Sequence, residues 1–556
     1  MRLLALGSAA AALVAVVALP LAWLVIGSFR GPTGPTLEFY RALLTSPENY
    51  RILLNTLLIG AAVAGLSALV GVPMAWLVGR SDMPGKRAVW TLVSVAYATP
   101  PFLSAIAYVM LLGPNAGLIN RGLRALLGLA EPPFNIFSVG GMVFVITLHV
   151  FPFVFLLVAG ALESLDPALE QSAQILGAGR LRTLRFVTLP MVTPAILAGA
   201  LLAFVDSLSL FGPQAILGVP ARIHTVPTKI YALFSYPPRF GLASALAMSL
   251  VVVTVLSLYL QHRVLGRRGY VTMTGKGAQP HLTPLGAWRI PALAACAAVF
   301  LLAVALPYGV LLGVSFSQQW ATVLESRTLT LKNYSYVLFE FSQTRHSILN
   351  SLGLATAAAT LAMGVGTLIA YLDLRTAFVG RRALDYLSLV PLGLPGIVLS
   401  VGLIQAWIRP PLVLYGTIWI LLVAYVARFV PFAVRSANTA IRQVDPALEE
   451  AARIAGAPWL AAVWRVTVPL IRQGMLSGWL LIFIPALREL SASVLLFTSG
   501  TETIAVAIFQ LYEEGYFEAT CALAVLTLGL TLAVLAVARR VAGPRVWETP
   551  LQRAGG

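Results

Sequence analysis

An all-α polytopic membrane protein, with about 12 transmembrane helices in two parallel six-helix repeats, is the architecture this sequence predicts. Three observations predict it. Hydrophobic residues make up 59% of the 556-residue chain and charged ones 11%, with a mean hydropathy of +0.87, whereas soluble domains carry about 25% charged residues. Apolar runs such as 241–260 and 291–316 reach the roughly 20 residues needed to cross a hydrocarbon core of about 30 Å. A polar stretch occurs twice: 166–190 reads DPALEQSAQILGAGRLRTLRFVTLP and 445–469 reads DPALEEAARIAGAPWLAAVWRVTVP, gap-free at an offset of 279 positions. The short alternating segments of a membrane β-barrel are absent.

The N-terminal segment carries one Arg ahead of a long apolar run without a clear cleavage site, so it reads as a retained first span. Spans are expected at about 8–28, 55–79, 89–112, 138–161, 190–211 and 241–261 in a first half, 1–262. A second half, 290–556, repeats them at about 290–316, 350–374, 384–408, 414–437, 469–498 and 518–538. The linker between them, 263–289, is basic and rich in Gly and Pro. Asn55, Arg80, Gly85 and Pro100 match Asn350, Arg375, Gly380 and Pro395 at an offset of 295, while Pro152 matches Pro431 at 279. The difference gives the first half 16 extra residues, assigned to the loop 113–137, where an amphipathic helix is expected. Six spans per half leave both halves the same way up, hence parallel repeats. With both termini cytoplasmic, the inside segments hold about twice as many Lys and Arg as the outside loops. Both polar stretches then face the cytoplasm, and the net charge of +17 is a topology signal, not a nucleic-acid footprint.

Each polar stretch has the marks of a short surface helix. Asp166 and Asp445 are N-cap residues, Pro167 and Pro446 suit the first helical position, and Gly177 and Gly456 end the helix. Glu170 and Glu449 fall in the first turn, where a carboxylate favours the positive end of the helix dipole. A second short segment follows, and Pro190 or Pro469 is expected to open the next span. The bland alternative is an interfacial helix anchored by basic residues; two gap-free copies speak against it.

Glu450-Ala451-Ala452, Gly456 and Val466-Thr467-Val468-Pro469 in the second copy resemble the EAA loop of binding-protein-dependent ABC importer permeases. Gln171-Ser172-Ala173, Gly177 and Val187-Thr188-Leu189-Pro190 resemble it in the first, without the glutamate. The resemblance implies the type I importer permease fold in a fused two-half form. It also implies that Glu170, Gln171, Ala173, Gly177, Glu449, Glu450, Ala451, Ala452 and Gly456 couple the chain to ATPase subunits. Other segments, among them RELSASVLLF and LFGPQAILG, are similar to ferric-iron transport permeases, with thiamine, aminoethylphosphonate or polyamine permeases as alternatives.

The chain has no Gly-x-x-x-x-Gly-Lys-Ser/Thr sequence, so it builds no P-loop. Paired catalytic carboxylates and His/Cys metal clusters are also missing; Cys296 and Cys521 lie in apolar runs and read as structural. No catalytic residue and no cofactor is expected in this chain, ATP and Mg belonging to the partner. Charges inside spans are costly and mark pathways or pairs, which makes Asp206, Arg488 and Glu489 candidates for the translocation pathway. The loop GRSDMPGKR at 79–87 superficially resembles a major-facilitator loop, but Asp82 is one residue short of that spacing. A positive-inside loop is the simpler reading.

The expected function is the permease subunit of an ATP-driven importer in the bacterial cytoplasmic (inner) membrane, working by alternating access. Its expected partners are two ATPase subunits, an extracytoplasmic binding protein and membrane lipid, with no nucleic acid. The rival from another class is an ion-coupled secondary transporter, which needs a buried acid relay and has no use for two EAA loops.

Overall fold

Backbone polar groups in lipid must be satisfied within the chain, which leaves helix as the spanning structure for a sequence this apolar. A computed structural model describes residues 2–266, 282–322, 329–376 and 380–542. Most of the linker 263–289, including Arg267 and Arg268, therefore lies outside the described residues. Ten described helices are long and apolar enough to cross a membrane, 12 if each of two bent pairs is one span.

The bent pairs correct two expected spans. Residues 89–112 form Lys86–Ala98 and Pro101–Leu112, bent by 94°, and 384–408 form Arg381–Gly393 and Gly396–Trp407, bent by 116°. The repeated prolines cause both breaks. Pro100 forces Thr99 into an extended conformation (ψ 128°), and Pro395 does the same to Leu394 (ψ 123°). A third span is shorter than expected. Instead of running over 469–498, the helix ends at Leu487. Pro485 removes a donor in its last turn, and the Glu489 carboxylate accepts from Ala492 N at 2.9 Å, serving the next turn instead.

Pro190 and Pro469 do not open their spans either. The helices run unbroken over Arg180–Ser209 and Trp459–Leu487. Each passes through a five-residue π-helical turn, Leu184–Thr188 and Val463–Thr467, two residues before its proline. The wider turn accommodates a ring that would otherwise press on the carbonyl four residues back. Val14–Ala18 before Pro20 and Leu301–Ala305 before Pro307 repeat this device in the first span of each half.

The contacts group into two compact units. One comprises Ser46–Lys229 and Val252–Thr328, the other Met1–Thr45, Ile230–Val251 and Leu329–Gly556. In the first unit the helices Pro47–Arg80, Val139–Ser164 and Leu189–Ser209 form a mutually packed trio, and Leu306–Ser315 packs on Pro101–Leu112. In the second unit Ser342–Arg375, Ile418–Arg442 and Val468–Leu487 form the same trio, and Leu19–Phe29 packs on Gly396–Trp407. Glycine sets how closely the trios approach: a Cβ on Gly199 would sit 2.7 Å from Val154 Cα, and one on Gly478 would sit 2.7 Å from Ser436 Cβ. The amphipathic helix expected in 113–137 is Leu118–Leu127, anchored by buried Asn120, which donates to Phe134 O at 2.8 Å.

Candidate functional site

The two polar stretches fold alike because their capping residues are alike. Asp166 accepts from Ala168 N at 2.9 Å and opens the helix Pro167–Ile175; Asp445 accepts from Ala447 N at 2.9 Å and opens Pro446–Ile454. Both helices end in a Schellman turn. Gly177 N donates to Gln174 O and Ala178 N to Ala173 O, matched by Gly456 N to Arg453 O and Ala457 N to Ala452 O. The turn needs a positive φ, 87° at Gly177 and 89° at Gly456, a conformation that costs other residues about 1–2 kcal/mol.

Gln171, Glu450 and Ala451 point outward and are exposed, with Ala173 and Ala452 partly covered. Glu170 and Glu449 lie in the first turn, as expected, and their carboxylates also turn inward. Glu170 Oε1 accepts from Thr188 Oγ1 at 2.6 Å, and Glu449 Oε1 accepts from Thr467 Oγ1, each tying a short helix to the π-helical turn of the span that follows. Arginines at the end of an earlier span complete the arrangement. Arg80 donates to Leu162 O and Leu165 O, both at 2.8 Å, and Arg375 donates to Ile441 O at 3.3 Å and Val444 O at 2.5 Å. The offsets of 295 and 279 reproduce these contacts atom for atom.

Sequence reasoning noted Arg80 and Arg375 as repeat positions, and Thr188 and Thr467 within the loop motif, without giving them a contact; it passed over Tyr371 and Trp459, which do not recur. The usable signal for the arginines and threonines was their recurrence at fixed offsets beside charged or polar residues in apolar surroundings. The same holds for a second clamp elsewhere. Asn55 donates to His224 O at 3.3 Å and Thr56 accepts from Val226 N at 2.9 Å; Asn350 donates to Glu502 O at 3.0 Å and Ser351 accepts from Ile504 N at 2.8 Å.

Compared with known families, residues 71–269 and 341–547 match the family described as "binding-protein-dependent transport system inner membrane component". The chain belongs to this family. It is a multi-pass permease of the ABC importer class, with the family domain present twice in one chain. Among curated relatives, the permease is 26% identical to the ferric transport system permease protein FbpB of Actinobacillus pleuropneumoniae, over 87% of this chain and 70% of that one. It is 31% identical to the molybdenum transport system permease protein ModB of Escherichia coli, over 39% of this chain and 93% of that one. It is also 28% identical to a putative 2-aminoethylphosphonate transport system permease protein PhnU of Salmonella paratyphi A, over 47% of this chain and 88% of that one.

The permease's three candidate pathway residues differ in their surroundings. Asp206 is partly buried near the end of the helix Leu189–Ser209, and Arg488 is partly buried as the residue closing Val468–Leu487. Glu489 is buried and pairs with Arg428, Nε to Oε2 at 3.0 Å. Around this pair Tyr425 and Ser493 share a hydrogen bond of 2.7 Å, and Ser400 donates to Ala492 O at 2.9 Å. At the matching positions in the first half stand His149, Leu210, Ile146, Gln214 and Ala105, a largely apolar set.

Asp82 has a structural task. It accepts from Leu285 N at 2.8 Å and from Arg289, and Thr283 N donates to Arg80 O at 2.8 Å. The end of the linker is thereby strapped onto the loop at 81–85. The Arg289 guanidinium and the Leu285 N–H hold the Asp82 carboxyl down at about 2. Among the described residues no cluster of three or more His, Cys, Asp or Glu is placed to hold a metal, and Cys296 and Cys521 are buried thiols.

Proposed function

We propose that this permease carries ferric iron from an extracytoplasmic binding protein to the cytoplasm, driven by two ATPase subunits docked on its two polar loops. The observation that carries the docking is the exposed tip of each loop. Ile175 and Leu176 are 84% and 88% exposed, and Ile454 is 87% exposed, on otherwise polar and firmly tethered helices. Large apolar side chains held out at such tips suit a protein partner that covers them. Gln171 and Glu450, exposed beside them, are the polar rim of that contact, and Ala173, Ala451 and Ala452 keep the helix face low enough to enter a groove.

In this reading the two halves, 1–262 and 290–556, share a membrane orientation with both termini and both loops cytoplasmic. ATP binding and hydrolysis, with Mg, occur in the partner. Closing of the ATPase dimer would draw the loops together and open the cavity outward; hydrolysis would reset it. Asp206, Arg488 and Glu489 remain the proposed pathway residues, with Arg428 holding Glu489 in the conformation described. Iron is favoured by a relative matched over most of both chains, which is a ferric transport permease. Iron is cargo here, so the binding protein holds it before delivery and the permease needs no ligand cluster.

Purification of the complex tests the partner: an ATPase subunit should accompany the wild-type chain and be lost with Gly456→Asp. The ligand found in the cognate binding protein tests the cargo. Iron supports the proposal, and thiamine, a polyamine, an aminoethylphosphonate or molybdate replaces it.

A further inference from the structure

The two loops are alike in backbone, in their capping and in the Glu–Thr hydrogen bond, yet the second contact of each glutamate differs in kind. In the first loop Glu170 Oε2 lies 3.7 Å from Arg80 Nε, an ion pair whose arginine side chain is 2% exposed. In the second loop Glu449 Oε2 accepts from the Tyr371 hydroxyl at 2.9 Å, and Trp459 Nε1 donates to the same hydroxyl oxygen at 3.0 Å. Tyr371 and Trp459 also pack edge to face, with ring centroids 5.9 Å apart. Among the described residues no cation lies within 4.0 Å of the Glu449 carboxylate.

The residues responsible are fixed by the repeat. Tyr371 takes the position of Trp76, at the offset of 295, and Trp459 takes that of Arg180, at 279. A tryptophan at 76 has an N–H donor but no oxygen to accept a second bond, so it cannot relay between a carboxylate and an indole. Arg180 instead donates to Pro284 O at 2.9 Å, fastening the start of its span to the strapped end of the linker.

We infer that Arg80 and Tyr371 are the positioning residues of the two coupling loops, one acting through a cation and the other through an uncharged Tyr371–Trp459 pair hydrogen-bonded to Glu449. Each fixes the angle between its short helix and the span that follows, so each governs how a partner's displacement enters the membrane. This inference rests on the coupling reading above, and goes beyond it by assigning chemically distinct clamps to the two loops. Tyr371 anchors two hydrogen bonds at once. Its loss leaves a buried carboxylate oxygen and an indole N–H without their partner, whereas Glu170→Gln still offers an acceptor to Thr188 and leaves Arg80 on its two carbonyls.

A spin-label experiment on the full chain in nanodiscs tests this directly. Gln174 and Arg453 are exposed, equivalent positions on the two short helices, and each is replaced singly by a labelled cysteine. Tyr371→Phe should mobilise the label at 453 and leave that at 174 unchanged; Glu170→Gln should mobilise 174 and leave 453 unchanged. Trp459→Phe, which removes only the indole donor, should mobilise 453 to a smaller degree. Unchanged spectra with Tyr371→Phe, or equal mobilisation of both labels by either variant, would overturn the assignment. ATPase co-purification with Gly456→Asp, run alongside, reports separately on coupling: retained ATPase defeats the coupling reading whatever the labels show.

Discussion

The first and second polar loops share a backbone, a pair of caps and a Glu–Thr tether, and part company where the glutamate meets the bundle. One loop leans on a buried guanidinium, the other on a phenol relayed to an indole. Separated chains would each need only one solution. A fused chain with two repeats can carry two, and the polar cluster around Arg428 and Glu489, set against His149 and Leu210, shows the same divergence nearer the opposite end of the trio. The repeats keep the contacts made to backbone and the Glu–Thr tether, and differ in their other side-chain-to-side-chain contacts.

That comparison can be broken most severely at the arginines. Arg80→Ala strands two buried carbonyls and a carboxylate and should cost about 3 kcal/mol, the low end for breaking a buried pair because the Arg80–Glu170 contact carries no hydrogen bond. Arg375→Ala strands carbonyls alone and should cost about 1–2 kcal/mol. Thermal unfolding in detergent separates the two; equal losses would deny the first loop its charged clamp.

Next in size is the Arg428–Glu489 pair. Arg428→His or Glu489→Leu alone leaves a partner uncompensated, but the double variant installs the chemistry of the first half. A double-mutant cycle should therefore return a coupling of about 1–3 kcal/mol. Purely additive losses would show that the pair is incidental. Smaller again is the left-handed glycine: Gly456→Val should cost about 1–2 kcal/mol of local strain, and Gly177→Val the same, each measured as ATPase lost from the purified complex with membrane insertion intact.

The gentlest perturbation is Asp82→Asn, which should loosen the strap at 282–289 and be seen as faster proteolysis there. Because the folded-state pKa of Asp82 is depressed to about 2, its contribution is present above the ordinary carboxylate range and disappears as the pH falls toward about 2. Proteolysis unaffected by the substitution would mean the backbone contacts of Thr283 suffice.

Much of this was legible in the sequence, and the parts that were not share a cause. Capping residues and glycines act within a few positions of themselves, so the two short helices and their ends could be read directly. The broken spans could not. Pro152 and Pro431 lie inside straight helices while Pro100 and Pro395 break theirs, and the residue type is the same in both cases. Neighbours differ: Pro101 follows Pro100 and Gly396 follows Pro395, and each opens a new helix in place of continuing the old one. The first-turn places of Glu170 and Glu449 are legible locally, whereas their inward partners, Thr188 and Tyr371 among them, are 18 to 78 positions away. Only the fold brings those together.

The central claim is that both loops dock an ATPase subunit. Photo-crosslinking from Gln171 and from Glu450, in cells that express the whole transporter, tests it most directly. The account predicts that both positions capture the same ATPase subunit, and that Gly456→Asp, which releases the ATPase from the complex, abolishes capture at 450. Failure of both positions to capture an ATPase, with capture of lipid alone, would contradict it.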